Sequence, residues 1–100
     1  MKQISAKEVE TTLNAGNKLD IIDVREDFEV ATGKIPGAVH IPMGSIEFRI
    51  EELEKSKEYI IVCHSGGRSA AVTQFLEGHG FKVTNMSGGM MDWEGEVEFE

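Results

Sequence analysis

Hydrophobic positions along this chain alternate between two rhythms. Short apolar runs of strand length occur at residues 19–24, 38–41, 59–62 and 81–86, and a briefer one at 2–4. Between them the apolar residues are spaced as one face of a helix. Ala6, Val9 and Leu13 form the first such stripe, halted by Gly16. Its start is marked by a capping box, in which Ser5 caps the Glu8 N–H while Glu8 reaches back, with Ile4 and Val9 spaced as a hydrophobic staple. A short helix is expected over 26–31, with Phe28 as its core contact. Ile46, Ile50 and Leu53 predict another, capped by Ser45. Val72, Phe75, Leu76 and His79 define the inward face of the main helix, which Gly78 and Gly80 close. Met90, Met91 and Trp93 open a last one, and the acidic end, 94–100, is expected to fray. Strand alternating with helix implies an α/β fold: a parallel sheet with right-handed crossovers, covered on both faces.

The run Tyr59-Ile60-Ile61-Val62 is rich in β-branched residues and reads as a central strand buried on both sides. The only cysteine of the chain, Cys63, follows it directly, and His64, Ser65, Gly66, Gly67 and Arg68 turn the chain into the main helix. First-turn N–H groups have no intrahelical partner, and with the helix dipole and a glycine turn they form a cradle for negative charge. A thiol whose ordinary pKa is about 8.5 ionises more readily there. Two glycines leave no side chains between sulfur and amides. The expectation is a nucleophilic Cys63 whose sulfur lies exposed at the mouth of a ring of inward-pointing amides. A buried cysteine of purely structural role would have no need of such a turn.

Other polar clusters are weaker signals. Asp23, Arg25, Glu26 and Asp27 end the 19–24 strand on the edge that carries Cys63, where open α/β sheets gather ligand-binding groups. Asp23 and Arg25 read as a local ion pair that holds the loop and supports the site. Ser87-Gly88-Gly89 matches no nucleotide-binding fingerprint and is explained by a close backbone approach to the cysteine loop. His40 reads as a hydrogen-bonded structural residue. With one cysteine and no histidine or carboxylate pair at ligand spacing, neither a metal site nor a cofactor is expected.

One hundred residues, 40% hydrophobic and 28% charged, fit a single domain over residues 1–100 with one core. A formal net charge of -8 disfavours nucleic acid and anionic membranes as partners. A lone cysteine allows no internal disulfide, and the N-terminus lacks a signal-peptide core, so the expected location is cytoplasmic.

The segment Cys63-His64-Ser65-Gly66-Gly67-Arg68-Ser69 resembles the active-site loop of single-domain rhodaneses, the thiosulfate sulfurtransferase-like family. Asp23-Val24-Arg25-Glu26 with Gly33-Lys34-Ile35-Pro36-Gly37-Ala38-Val39-His40-Ile41-Pro42 resembles its upstream signature, and Ser87-Gly88-Gly89-Met90 with Trp93 its C-terminal one. The family commonly has histidine where Lys34 stands. The resemblance implies a three-layer fold with a five-stranded, mostly parallel sheet. It also implies a Cys63 persulfide formed from a small anionic sulfur donor such as thiosulfate and passed to cyanide, a thiol or a sulfur-relay protein. His64 to Arg68 would then be the anion-binding loop. Two other functions fit the same residues: a noncatalytic or sulfur-carrier interaction module, and a cysteine-dependent phosphatase or arsenate reductase. Four residues separate Cys63 from Arg68, however, one fewer than in the phosphatase loop.

Overall fold

The computed structural model describes residues 1–99 and builds one sheet from five strands: β1 Lys2–Ser5, β2 Asp20–Asp23, β3 Val39–His40, β4 Glu58–Val62 and β5 Lys82–Ser87. Their order is β1-β5-β4-β2-β3, and every adjacent pair is parallel. Three α-helices connect them: α1 Ala6–Asn14, α2 Asp27–Val30 and α3 Gly67–Gly78. Among the described residues no helix is long and apolar enough to cross a membrane.

β4 takes the centre because its side chains satisfy both faces. Tyr59 and Ile61 pack with Ile22, Val24, Val72, Leu76 and Val83 on the α3 side, and Cys63 continues that row. Ile60 and Val62 face the other way, onto Ala6, Val9, Ile21, Ile35 and Met86 beside α1. Period-two alternation therefore feeds two cores, one on each face. Fully burying a side chain such as Ile61 contributes about 1.5–3 kcal/mol, which fixes the strand carrying Cys63 firmly in place.

The α1 capping box forms as its sequence predicts. Glu8 N–H donates to Ser5 Oγ at 3.0 Å, and Ser5 N–H donates to Glu8 Oε1 at 3.1 Å. Elsewhere the helical pattern is only partly realised. α2 is a single turn in which Val30 is buried and Phe28 is 75% exposed, so Phe28 is not the core contact expected. One turn offers one inward position, and Val30 occupies it just before the chain turns at Gly33, whose N–H donates to the Val30 carbonyl. Residues 43–52 form two 3₁₀ segments, Met43–Ser45 and Glu47–Glu52, in place of an α-helix. Ser45 caps neither: it ends the first segment, its N–H donating to the Pro42 carbonyl, and Ile46 precedes the second. Ile46 is nevertheless buried, with Ile50 and Leu53 packed against the same core.

Along α3 the inward face is Ser69, Val72, Thr73 and Leu76. Phe75 and His79 lie at its edge, their rings in a tilted contact with centres 4.5 Å apart. Two buried hydroxyl residues are invisible to a hydrophobic pattern, which is why the face reads rotated in the sequence. The expected last helix shrinks to one 3₁₀ turn, Gly89–Asp92, with Met91 exposed and Met90 and Trp93 packed on the α1-side core. Beyond it the chain does not fray as expected. Lys34 and Glu98 form an isolated antiparallel bridge, N–H to carbonyl at 2.9 and 2.8 Å. The Glu98 carboxylate also accepts from Lys34 Nζ at 2.5 Å and from Gly37 N–H at 2.9 Å. Glu100, the end of that stretch, lies outside the described residues.

Candidate active site

At the carboxyl end of β4 the backbone leaves the sheet through Cys63 and enters α3 at Gly67. The turn is possible because Gly66 adopts a left-handed φ of +102°, a conformation side-chain-bearing residues avoid. A Cβ at Gly66 would also sit 3.2 Å from the Gly88 nitrogen, whereas one at Gly67 would meet nothing within 4 Å. Of the two loop glycines, only Gly66 is required by the geometry.

The turn aims donors at the sulfur. Gly66 N–H donates to Cys63 Sγ at 3.0 Å, and Ser69 Oγ stands 3.2 Å from it. Burial by itself pushes the Cys63 thiol up. Hydrogen bonds from the Ser69 hydroxyl and from the Ser69, Gly66 and Ser65 N–H groups outweigh that, leaving the thiol below its ordinary value. These hydrogen bonds favour charge on sulfur.

One feature of the expected arrangement is corrected: Cys63 is wholly buried, not exposed at the mouth of the ring. The amides close directly on Sγ, since it is the acceptor their free N–H groups can reach, and the Ser87-Gly88-Gly89 turn packs behind the loop. Met90 N–H donates to the Cys63 carbonyl and Met91 N–H to that of His64, both at 2.9 Å. A Cβ at Gly89 would lie 2.5 Å from the His64 carbonyl group. The close backbone approach read from Gly88-Gly89 is therefore real.

Of the remaining loop residues, His64 and Ser65 are exposed at the rim. Arg68 is bound to a carboxylate, although a charged Cys63 sulfur also helps to raise its pKa. Its guanidinium grips Glu29 with two hydrogen bonds of 2.6 and 2.7 Å. The paired Arg68 holds the Glu29 carboxyl at about 2, and Glu29 in turn raises Arg68. Asp23 and Arg25 form the ion pair read from the sequence, buried and bidentate, with Arg25 Nη2 at 2.9 Å from Asp23 Oδ2 and Nε at 3.0 Å from Oδ1. Arg25 also donates to the carbonyls of Gly33 and Glu29. A polar frame thus runs from the end of β2 through Glu29 to the start of α3. His40 joins it, its Nε2 donating to the Arg25 carbonyl at 2.7 Å.

Two participants had no role assigned from the sequence, although Ser69 closes the segment that resembles the family's active-site loop. Ser69 follows the loop arginine directly, but only the first turn of α3 brings its hydroxyl back onto the sulfur. Glu29 is separated from Arg68 by 39 residues, and its sole sequence signal was a carboxylate in the short helix on the Cys63 edge. A cleft of about 310 Å³ opens beside His64, lined also by Arg25, Gly33, Met90, Trp93 and Val97.

Comparison with known proteins agrees with this geometry. The family model described as a rhodanese-like domain matches residues 5–96. A Bacillus subtilis protein named "Putative sulfurtransferase YtwF" is 50% identical, over 98% of this chain and 95% of its own. Another from the same organism, "Putative sulfur carrier protein YrkF", is 41% identical over 96% of this chain, which spans 52% of that longer protein. The crystal structure of a rhodanese-like domain protein from Staphylococcus aureus superimposes with a TM-score of 0.94 at 40% identity, covering 100% of this chain and 99% of that one. With a five-stranded parallel sheet covered on both faces, a cysteine held by helix-start amides and a family match over nearly its whole length, this chain belongs to the rhodanese-like family.

Proposed function

We propose that this protein is a sulfurtransferase, with residues 1–100 acting as one domain and Cys63 carrying the transferred sulfur. The observation that carries the reading is the set of donors converging on Sγ: the Gly66 N–H at 3.0 Å, the Ser69 hydroxyl at 3.2 Å and the neighbouring amides. They favour the thiolate, which is the nucleophile in sulfur exchange. Cys63 thiolate attacks the outer sulfur of a donor such as thiosulfate. A new Sγ–S bond forms as the donor S–S bond breaks, and sulfite departs with the bonding electrons. The persulfide anion left on Cys63 then loses its outer sulfur to cyanide or a thiolate, regenerating the Cys63 thiolate. The ring of amides holds the negative charge throughout both half-reactions.

A sulfur-carrier role is the second reading, favoured by the carrier named among the relatives and requiring the same persulfide. A phosphatase role is disfavoured by the loop, which closes on a single sulfur with four residues between Cys63 and Arg68. Thiocyanate release from thiosulfate and cyanide tests the proposal. Wild-type protein is expected to turn over repeatedly and Cys63→Ser to be inactive while still folded, because a hydroxyl is a poor nucleophile here. Activity surviving in Cys63→Ser would place the chemistry elsewhere, and a single stoichiometric transfer would favour the carrier.

A further inference from the structure

We propose that Glu29 sets the charge selectivity of the Cys63 site, directing it to sulfane-sulfur donors with at most one negative charge, such as alkyl persulfides and thiosulfonates, in preference to dianionic thiosulfate. The inference rests on the sulfur-transfer reading and concerns only which donor that site accepts.

Two arginines stand at the loop, and each holds a carboxylate. Arg25, which lines the cleft beside His64, is buried against Asp23, and Arg68, the loop's own cation, is gripped through both terminal nitrogens by Glu29. Glu29 is itself fixed. Its Oε1 accepts from Glu26 N–H at 3.0 Å, and its carbonyl accepts from Arg25 Nη1 and from Thr32 Oγ1. Held there, it turns the one guanidinium at the start of α3 into a neutral pair. The amide ring remains to stabilise charge on sulfur, but it is built for one atom and adds no full positive charge for a second anionic group. Glu94 lines the cleft beside His64, and the chain as a whole carries -8, so long-range forces oppose an approaching dianion.

Methanethiosulfonate and thiosulfate isolate this property, since they are similar in size, carry the same kind of outer sulfur and differ by one negative charge. With either donor, Cys63 thiolate forms the Sγ–S bond as the donor S–S bond breaks, and methanesulfinate or sulfite leaves with the electron pair. The charge sum is unchanged in both cases. The experiment compares kcat/KM for the two donors, with cyanide as acceptor, in wild type and Glu29→Gln. Freeing the Arg68 charge adds one attraction for each negative charge on the donor. The thiosulfate-to-methanethiosulfonate ratio is therefore expected to rise about five- to tenfold in the variant.

An unchanged ratio with both donors active overturns the proposal and leaves sulfur transfer standing. Failure of both donors to load wild-type Cys63 overturns the sulfur-transfer reading itself. A measurement on wild type alone guards against a variant that does not fold: kcat/KM for thiosulfate should be flat or rise with ionic strength. A steep fall with added salt would reveal an unneutralised cation drawing the dianion in, and would equally overturn the proposal.

Discussion

Replacing Gly89 by alanine tests whether the turn after β5 is a backing plate for the cysteine loop. Its φ is +59°, so an alanine there pays the left-handed penalty of about 1–2 kcal/mol. The added Cβ would also lie 2.5 Å from the His64 carbonyl carbon and oxygen and 2.6 Å from the Cys63 oxygen. Ordinary contacts are about 3.5–4.0 Å, so the loop must retreat by roughly 1 Å, and the obstacles are backbone atoms with no rotamer to change. Overpacking of this kind costs about 1–3 kcal/mol, giving about 2–5 kcal/mol in all. Gly16→Ala is the control, since Gly16 has a φ of +88° but a Cβ there would meet nothing within 4 Å. In a domain of this size about 1 kcal/mol lowers Tm by roughly 4–8 °C. Calorimetry should therefore find Gly16→Ala down by the left-handed penalty alone, about 4–16 °C, and Gly89→Ala down at least about 4 °C further. Sulfur transfer should be impaired only in Gly89→Ala, because the displaced carbonyls are those of Cys63 and His64. Equal Tm values for the two variants, with equal transfer rates, would refute the backing role.

The remaining predictions concern the ring and its frame. Ser69→Ala removes the hydroxyl 3.2 Å from Sγ, so the Cys63 thiol should rise toward its ordinary value and the pH profile of sulfur uptake should move to higher pH; an unmoved profile would count against the hydroxyl. Gly66→Val should cripple transfer through its left-handed φ and the Gly88 contact, while Gly67→Ala should be tolerated, as kinetics on the two variants would reveal. The Glu29–Arg68 pair should contribute to stability fully above about pH 4.5 and progressively less as pH falls toward 2, because the Glu29 carboxyl is depressed to about 2 in the folded state. Arg68 is partly exposed, so after solvent screening the contribution is about 1 kcal/mol, measurable as a wild-type minus Glu29→Gln difference in urea unfolding that closes with acid.

The sheet and the position of Cys63 were legible in the sequence because each follows from a local pattern. β4 reads as buried because its own residues are apolar on both faces, and the α1 start reads from four consecutive residues. What escaped depends on tertiary contact. Phe28 looked like a core residue because hydrophobicity does not say which way a single turn faces. The 43–52 segment has apolar spacing suited to a helix but is bonded as 3₁₀ turns that begin at Pro42. Buried Ser69 and Thr73 rotate the inward face of α3 without registering as hydrophobic. A further contact that escaped is electrostatic. Arg68, read from the loop as part of the anion-binding set, is also paired with a carboxylate 39 residues earlier, and no local pattern announces that pair. Likewise Lys34, a departure from the usual histidine, finds its carboxylate 64 residues away in Glu98.

Intact-mass spectrometry of the unreduced protein bears most directly on the claim that Cys63 carries sulfur within the ring of amides. After exposure to methanethiosulfonate or thiosulfate and desalting, the wild type should gain one sulfur atom, localised to Cys63 and removed by cyanide, and Cys63→Ser should gain none. A wild type that stays unmodified with both donors, or a sulfur gain that persists in Cys63→Ser, would contradict the account.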